Sequence, residues 1–213
     1  MNTCAKNGKV EDMNDCADQT VSSKTRYMAV PYALATIAVL LVVQAVVLQW
    51  QGRIWWCACK GGAVWAGDIW SSHASQHVLD PYSFSHVLHG VLFCGIIWAF
   101  LRRGSVLWMC VVCVAMEVFW EILENTSFII DRYREATAAL GYTGDSIVNS
   151  VADTACCIIG FWIARYLGWR RSVLFFVLTD LALAILYRDN LTLNILMLLC
   201  PIEAIKQWQM AGA

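Results

Sequence analysis

Long apolar runs alternate with short polar breaks along this chain, and the lengths of the runs predict its elements. Residues 28–50, MAVPYALATIAVLLVVQAVVLQW, are long enough to cross a bilayer, which takes about 20 apolar residues. No small-residue cleavage site follows, so the run reads as a retained signal anchor. Further spans are expected at residues 86–101, closed by Arg102 and Arg103, at 105–124, at 147–167, closed by Trp169, Arg170 and Arg171, and at 172–187. Residues 191–205 are apolar but short and interrupted by Pro201, which leaves a sixth span or a re-entrant helix. Residues 1–26 are polar with mixed charge and read as a disordered tail ahead of a transmembrane domain at 27–208. Residues 51–85 form a loop rich in Trp, Gly, Ser and His, and such length without hydrophobic periodicity marks a functional loop. Residues 125–145 are expected to be a charged loop. The predicted fold is an all-α membrane protein, a bundle of five or six transmembrane helices with a long first extracytoplasmic loop.

Composition strengthens this picture: 59% of the 213 residues are hydrophobic and 15% charged, far from a soluble domain of this size. Lys6, Lys9, Lys24, Arg26, Arg102, Arg103, Arg165, Arg170, Arg171 and Lys206 fall on one side of the predicted membrane. Only Arg53, Lys60, Arg132, Arg134 and Arg188 fall on the other, so the excess of basic residues predicts a cytoplasmic amino terminus. No basic run resembles a nucleic-acid surface, which sets that partner aside. Six of the ten cysteines (Cys94, Cys110, Cys113, Cys156, Cys157, Cys200) lie in apolar segments and read as small packing residues. Cys57 and Cys59 lie in a polar loop, and without a second pair they make half a zinc site.

Charged groups inside apolar segments are costly to insert, so a chain that keeps several uses them. Glu117, Glu121 and Glu124 recur at i, i+4, i+7 and share one helix face. Asp145, Asn149 and Asp153 recur at i, i+4, i+8 on the next span. The two stripes reach the same depth from the same side, which predicts Glu117 and Asp153 as a buried carboxylate pair suited to acid and base work. All four histidines lie between His73 and His89, and His86 and His89 share a helical face. His77, His86 and His89 are candidate ligands, with a carboxylate, for a divalent metal, zinc being the expected ion. Arg132 and Arg134 are candidate binders of a lipid head group, because guanidinium forks match phosphate and carboxylate. The alternative for the acids and arginines is mutual ion pairing as glue between helices. Asp180, midway along the fifth span, has no evident partner.

The strings SQHVLDPYSFSHVLHG (75–90), WEILENTSFIIDRYREATAALGYTGDSIVNSVAD (120–153) and RDNLTLNILMLLCPIEAIK (188–206) closely resemble an uncharacterised family of multi-pass inner-membrane proteins of proteobacteria. The resemblance covers roughly residues 50–208 and implies the bacterial cytoplasmic membrane without implying a reaction. A looser likeness is to VanZ-like envelope proteins, whose pattern Asp80, His86, Glu117 or Glu121, Arg132 and Asp145 with Asn149 would fill. The string Asn149–Asp153 also resembles the Asn-x-Ala-Asp string of lipoprotein signal peptidases, lengthened here by one residue. Together these readings predict an intramembrane hydrolase or group transferase acting on a lipid or lipid-linked envelope substrate at the extracytoplasmic side. Its acid and base candidates are Glu117, Glu121 and Asp153, with Asp145 and Asn149 as positioners. The alternatives are a non-enzymatic VanZ-like binder, an ion- or proton-coupled transporter, and an envelope scaffold.

Overall fold

A computed structural model describes residues 12–101, 104–137 and 141–211 as eight helices joined by turns, with side chains of the first helix described from Val30 onward. They are α1 (Asp12–Trp50), α2 (Ser83–Phe100), α3 (Val106–Glu124), α4 (Ser127–Ala136), α5 (Ile147–Leu167), α6 (Trp169–Tyr187), α7 (Leu191–Leu199) and α8 (Glu203–Met210). Residues 1–11 of the expected tail, and the arginines expected to close the second span, lie outside the described residues.

Among the described residues, four segments are long and apolar enough to cross a membrane: Val30–Trp50, Ser83–Phe100, Val106–Glu124 and Ile147–Leu167. The fifth long helix, α6, exposes Val173, Leu174, Val177, Leu178, Leu181, Ile185 and Leu186. The apolar stretch at 191–205 is broken into α7 and α8, because Pro201 cannot continue a helix. At nine residues, α7 rises only about 14 Å, short of a hydrocarbon core.

The charged segment at 125–145 is not purely a loop, since it contains α4. The Thr126 hydroxyl accepts the Ile129 N–H and starts that helix, whose buried residues Ile130, Tyr133 and Ala136 recur at i, i+3, i+6.

The centre of the bundle is the crossing of α2 on α5. Gly90 and Gly160 make it close: a Cβ on Gly90 would stand 2.0 Å from the Cys157 carbonyl oxygen, and one on Gly160 1.9 Å from that of Val87. Only residues without a side chain let two helix backbones approach so nearly. On one side of this crossing lies an apolar core of Val91, Cys94, Ile97, Met109, Cys110, Cys113, Cys157, Phe161 and Ala164. Of the six cysteines expected to pack, five are buried, and Cys200 is exposed at the break before Pro201. α1 lies against α3 and α5 through Ala33, Gln44 and Leu48, and leaves Tyr32, Val39, Val42 and Val46 exposed.

Candidate functional site

One turn of α2 carries both imidazoles of the central site. His86 Nδ1 lies 2.6 Å from Glu117 Oε1 and 3.1 Å from Glu121 Oε1, while His89 Nδ1 lies 3.0 Å from Glu117 Oε2. Both glutamates are inaccessible to solvent. A carboxylate only accepts, so Glu117 takes the Nδ1–H of both rings and leaves each Nε2 as the free nitrogen. His86 Nε2 lies 3.9 Å from Asp153 Oδ2. The expected direct pairing of Glu117 with Asp153 is therefore corrected: an imidazole stands between them, contributed by the helix wedged between α3 and α5.

Hydroxyls and amides complete the network. Ser83 donates to Asp153 at 3.0 Å, and Ser150 donates to Glu121. Gln44 reaches in from α1, donating to the Ser150 carbonyl and accepting from Thr154. Asn125 donates to Asp145 Oδ2 at 2.8 Å and accepts the Asp145 N–H at 2.7 Å. Ser83, Asn125 and Ser150 each lie within three residues of an acid, the available signal for them, whereas Gln44 stands in an apolar run with no acid near it in sequence.

A cavity of about 700 Å³ adjoins this network. His86, His89, Glu124, Asp145, Asp153 and Asp189 supply its polar wall, Trp70, Leu92, Phe93, Trp120, Leu191 and Ile195 its apolar wall, and Ser71, Ser72, Ala74, Ser75 and Gln76 a further side. Glu117 and Glu121 do not line it, and sit behind the imidazoles. Asp189 is half-buried and accepts from Tyr82 (2.9 Å), the Asn190 N–H (2.9 Å) and Gln209 (3.1 Å). Burial raises its pKa to about 7 against those hydrogen bonds, which pull the other way. Burial likewise raises Asp145, opposed by its bonds from Asn125 and Tyr142. Asp80, also raised by burial, accepts the N–H groups of Ser75, Tyr82 and Ser83 and so builds the turn into α2.

Other expected site residues stand elsewhere. Asn149 is buried on α5 with no partner for its Nδ2, but does not line the cavity. Arg132 Nε donates to the Leu198 carbonyl, and Arg134 Nε to that of Tyr142, with an Asp131 carboxylate 3.4 Å from Arg134 Nη1. Neither guanidinium lines the cavity; each braces a residue that does. His77 does not join His86 and His89 but lies in the loop before α2 beside Cys57, Cys59 and His73. Asp180 has a partner after all: its Oδ1 accepts the Thr192 N–H at the start of α7, and its carbonyl accepts from Asn190. Among the described residues, groups able to hold a metal ion are Cys57, Cys59, His73 and His77; His86, His89 and Glu117; and His86, Glu121 and Glu124.

Several known proteins are similar to this chain. An UPF0314 protein of Sphingopyxis alaskensis is 43% identical over 177 residues, covering 82% of this chain and 93% of its own. One of Rhizobium johnstonii is 43% identical over 170 residues (80% and 87%), and one of Rhizobium meliloti 42% over 178 (84% and 90%). No solved structure matches the chain. Residues 48–211, from the end of α1 through α8 and hence every side chain of the site but Gln44, match the family model described as protein of unknown function (DUF2585), and the chain belongs to that family.

Proposed function

We propose that this protein is an intramembrane enzyme, a hydrolase or group transferase, that acts on a lipid or lipid-linked envelope substrate from the extracytoplasmic side of the bacterial inner membrane. The observation that carries the reading is His86, hydrogen-bonded through Nδ1 to the solvent-inaccessible Glu117, with Glu121 Oε1 3.1 Å away, and turned by Nε2 toward Asp153 and the cavity. A carboxylate that fixes the tautomer and orientation of an imidazole is the arrangement proton transfer requires. His86 is the acid and base group, Glu117 and Glu121 orient it, and Asp153, held by Ser83, positions or activates the attacking group. The cavity's mixed lining, apolar on one side and acidic on the other, suits an acyl or isoprenoid chain ending in a polar group. The packed apolar core on α2, α3 and α5 favours an enzyme over a proton-coupled transporter, which needs a polar path through the bundle.

A second reading is a catalytic divalent ion, zinc being the expected one, on His86, His89 and Glu117. Its support is a donor set of two histidines and a glutamate, whose ligand atoms lie within 4.8 Å of one another. The 2.6 Å contact between His86 Nδ1 and Glu117 is hydrogen-bond length, shorter than the roughly 3.3 Å between two nitrogen or oxygen ligands of one zinc ion, and favours the metal-free proton relay.

The test is complementation of a deletion strain scored by envelope lipid analysis. His86→Gln and Glu117→Gln are expected to reach normal membrane abundance and fail to restore the wild-type lipid profile. Restoration by His86→Gln, or a deletion strain with unchanged envelope lipids, would end the enzymatic reading and leave a VanZ-like binder or a scaffold.

A further inference from the structure

The loop between α1 and α2 brings a second group of ligating atoms together, away from the central site. Cys57 Sγ lies 3.4 Å from His73 Nδ1, Cys59 Sγ 3.8 Å from His77 Nε2, and the two histidine nitrogens are 3.5 Å apart. All four ligand atoms lie within 4.8 Å of one another. The last two separations are too long for good hydrogen bonds between such atoms. They match what a tetrahedral zinc ion imposes: bonds near 2.3 Å to sulfur and about 2.05 Å to nitrogen set ligand edges of about 3.3 Å between nitrogens and about 3.6 Å between nitrogen and sulfur.

The atoms around the four ligands point to the same conclusion. His77 Nδ1 stands 2.6 Å from the Ala63 carbonyl oxygen, which can only accept, so the proton is on Nδ1 and Nε2 offers its lone pair to the centre of the group. The Cys59 N–H donates to Cys57 Sγ and the Gly61 N–H to Cys59 Sγ, each at 3.3 Å, which fixes both sulfurs in place. The turn that aims both sulfurs the same way closes through the Lys60 N–H on the Cys57 carbonyl, with Lys60 in the left-handed region at φ 56°. Holding a lysine there costs free energy that the loop must recover. Among the described residues the loop's regular pairing is one bridge between Trp65 and Leu79, and its other ties are single hydrogen bonds such as those of the Ile147 N–H to Ile54 and the Ser146 N–H to Ser75.

We propose that Cys57, Cys59, His73 and His77 form a closed zinc site that fastens the loop between α1 and α2. Two thiolates and two neutral imidazoles fill four positions and balance the ion's charge, so no position remains for substrate and the ion is structural. Its consequence for the proposed activity, which rests on the reading above, is placement: Trp70, Ser71, Ala74, Ser75 and Gln76 form one side of the cavity and lie between or beside the ligands in sequence. Zinc binding itself does not depend on that activity.

The full-length protein, purified in detergent and desalted, is expected to retain a zinc equivalent that tracks these four residues by elemental analysis. Cys59→Ser and His73→Gln each remove it, whereas the His86→Gln/His89→Gln double variant keeps it, so failure of this site and failure of the catalytic reading are told apart. Wild-type protein produced with cobalt is expected to show the visible absorption of tetrahedral cobalt with sulfur ligands, which requires no variant to fold. Wild-type protein without zinc, a Cys57–Cys59 disulfide by mass spectrometry, or zinc that disappears only with His86 and His89 overturns the proposal.

Discussion

Glu117 accepts from two imidazoles in a place without water, so its removal strands both ring N–H groups. Glu117→Leu is expected to cost about 2 to 5 kcal/mol, from roughly 1 to 3 kcal/mol for each buried donor left without an acceptor, measured by unfolding in detergent. Asp189 sets a different test. Its folded pKa of about 7 is above the ordinary aspartate value of about 3.9, so between these values the folded chain holds a proton that the unfolded chain has released. Stability from this group is full below about pH 4 and declines as pH rises to about 7, the reverse of a salt-bridged aspartate. The melting temperature is expected to fall between pH 5 and 8, and Asp189→Asn, which keeps an acceptor for Asn190 and Gln209, is expected to flatten that slope. An unchanged slope in the variant would assign it to other groups.

Helices set the site because each one brings a fixed register of polar groups, but their usefulness depends on how closely the helices approach. Gly90 and Gly160 let α2 sink against α5 until His86 reaches between Glu117 and Asp153. Gly160→Ala is expected to destabilise the bundle by about 1 to 3 kcal/mol through overpacking, because the obstructing atoms are backbone and cannot rotate away. Lower membrane abundance and a lower unfolding midpoint, with Gly95→Ala as the control in open space, check this. α4 acts through its neighbours: it carries Arg132 and Arg134, which hold the cavity walls at Leu198 and Tyr142.

As a whole the molecule is an apolar bundle with its chemistry gathered at one end, under segments that lie between the spans. The proposed orientation puts that end outside the cytoplasm, with the loop between α1 and α2 as part of its cover. Cys59 is exposed, so a membrane-impermeant maleimide added to intact spheroplasts is expected to label it once zinc is chelated, and to label it poorly before. Labelling only after the membrane is opened would reverse the orientation.

Run length and periodicity are local properties, and they sufficed for four of the expected spans and for the shared face of Glu117, Glu121 and Glu124. They also marked the charged residues that apolar helices retain. Two further features stand in the sequence: Thr126 as the cap of α4, and His73-x3-His77, which would supply the other two ligands of the proposed zinc site beside Cys57 and Cys59. What tertiary structure alone decided was the division of four neighbouring histidines into two separate groups, the placing of His86 between Glu117 and Asp153, and the partner of Asp180 across the α6–α7 turn. Spacing along one helix fixes only which side chains share a face. The rotation of each helix against its neighbours, and the path of a loop with no periodicity, depend on contacts between residues far apart in the chain.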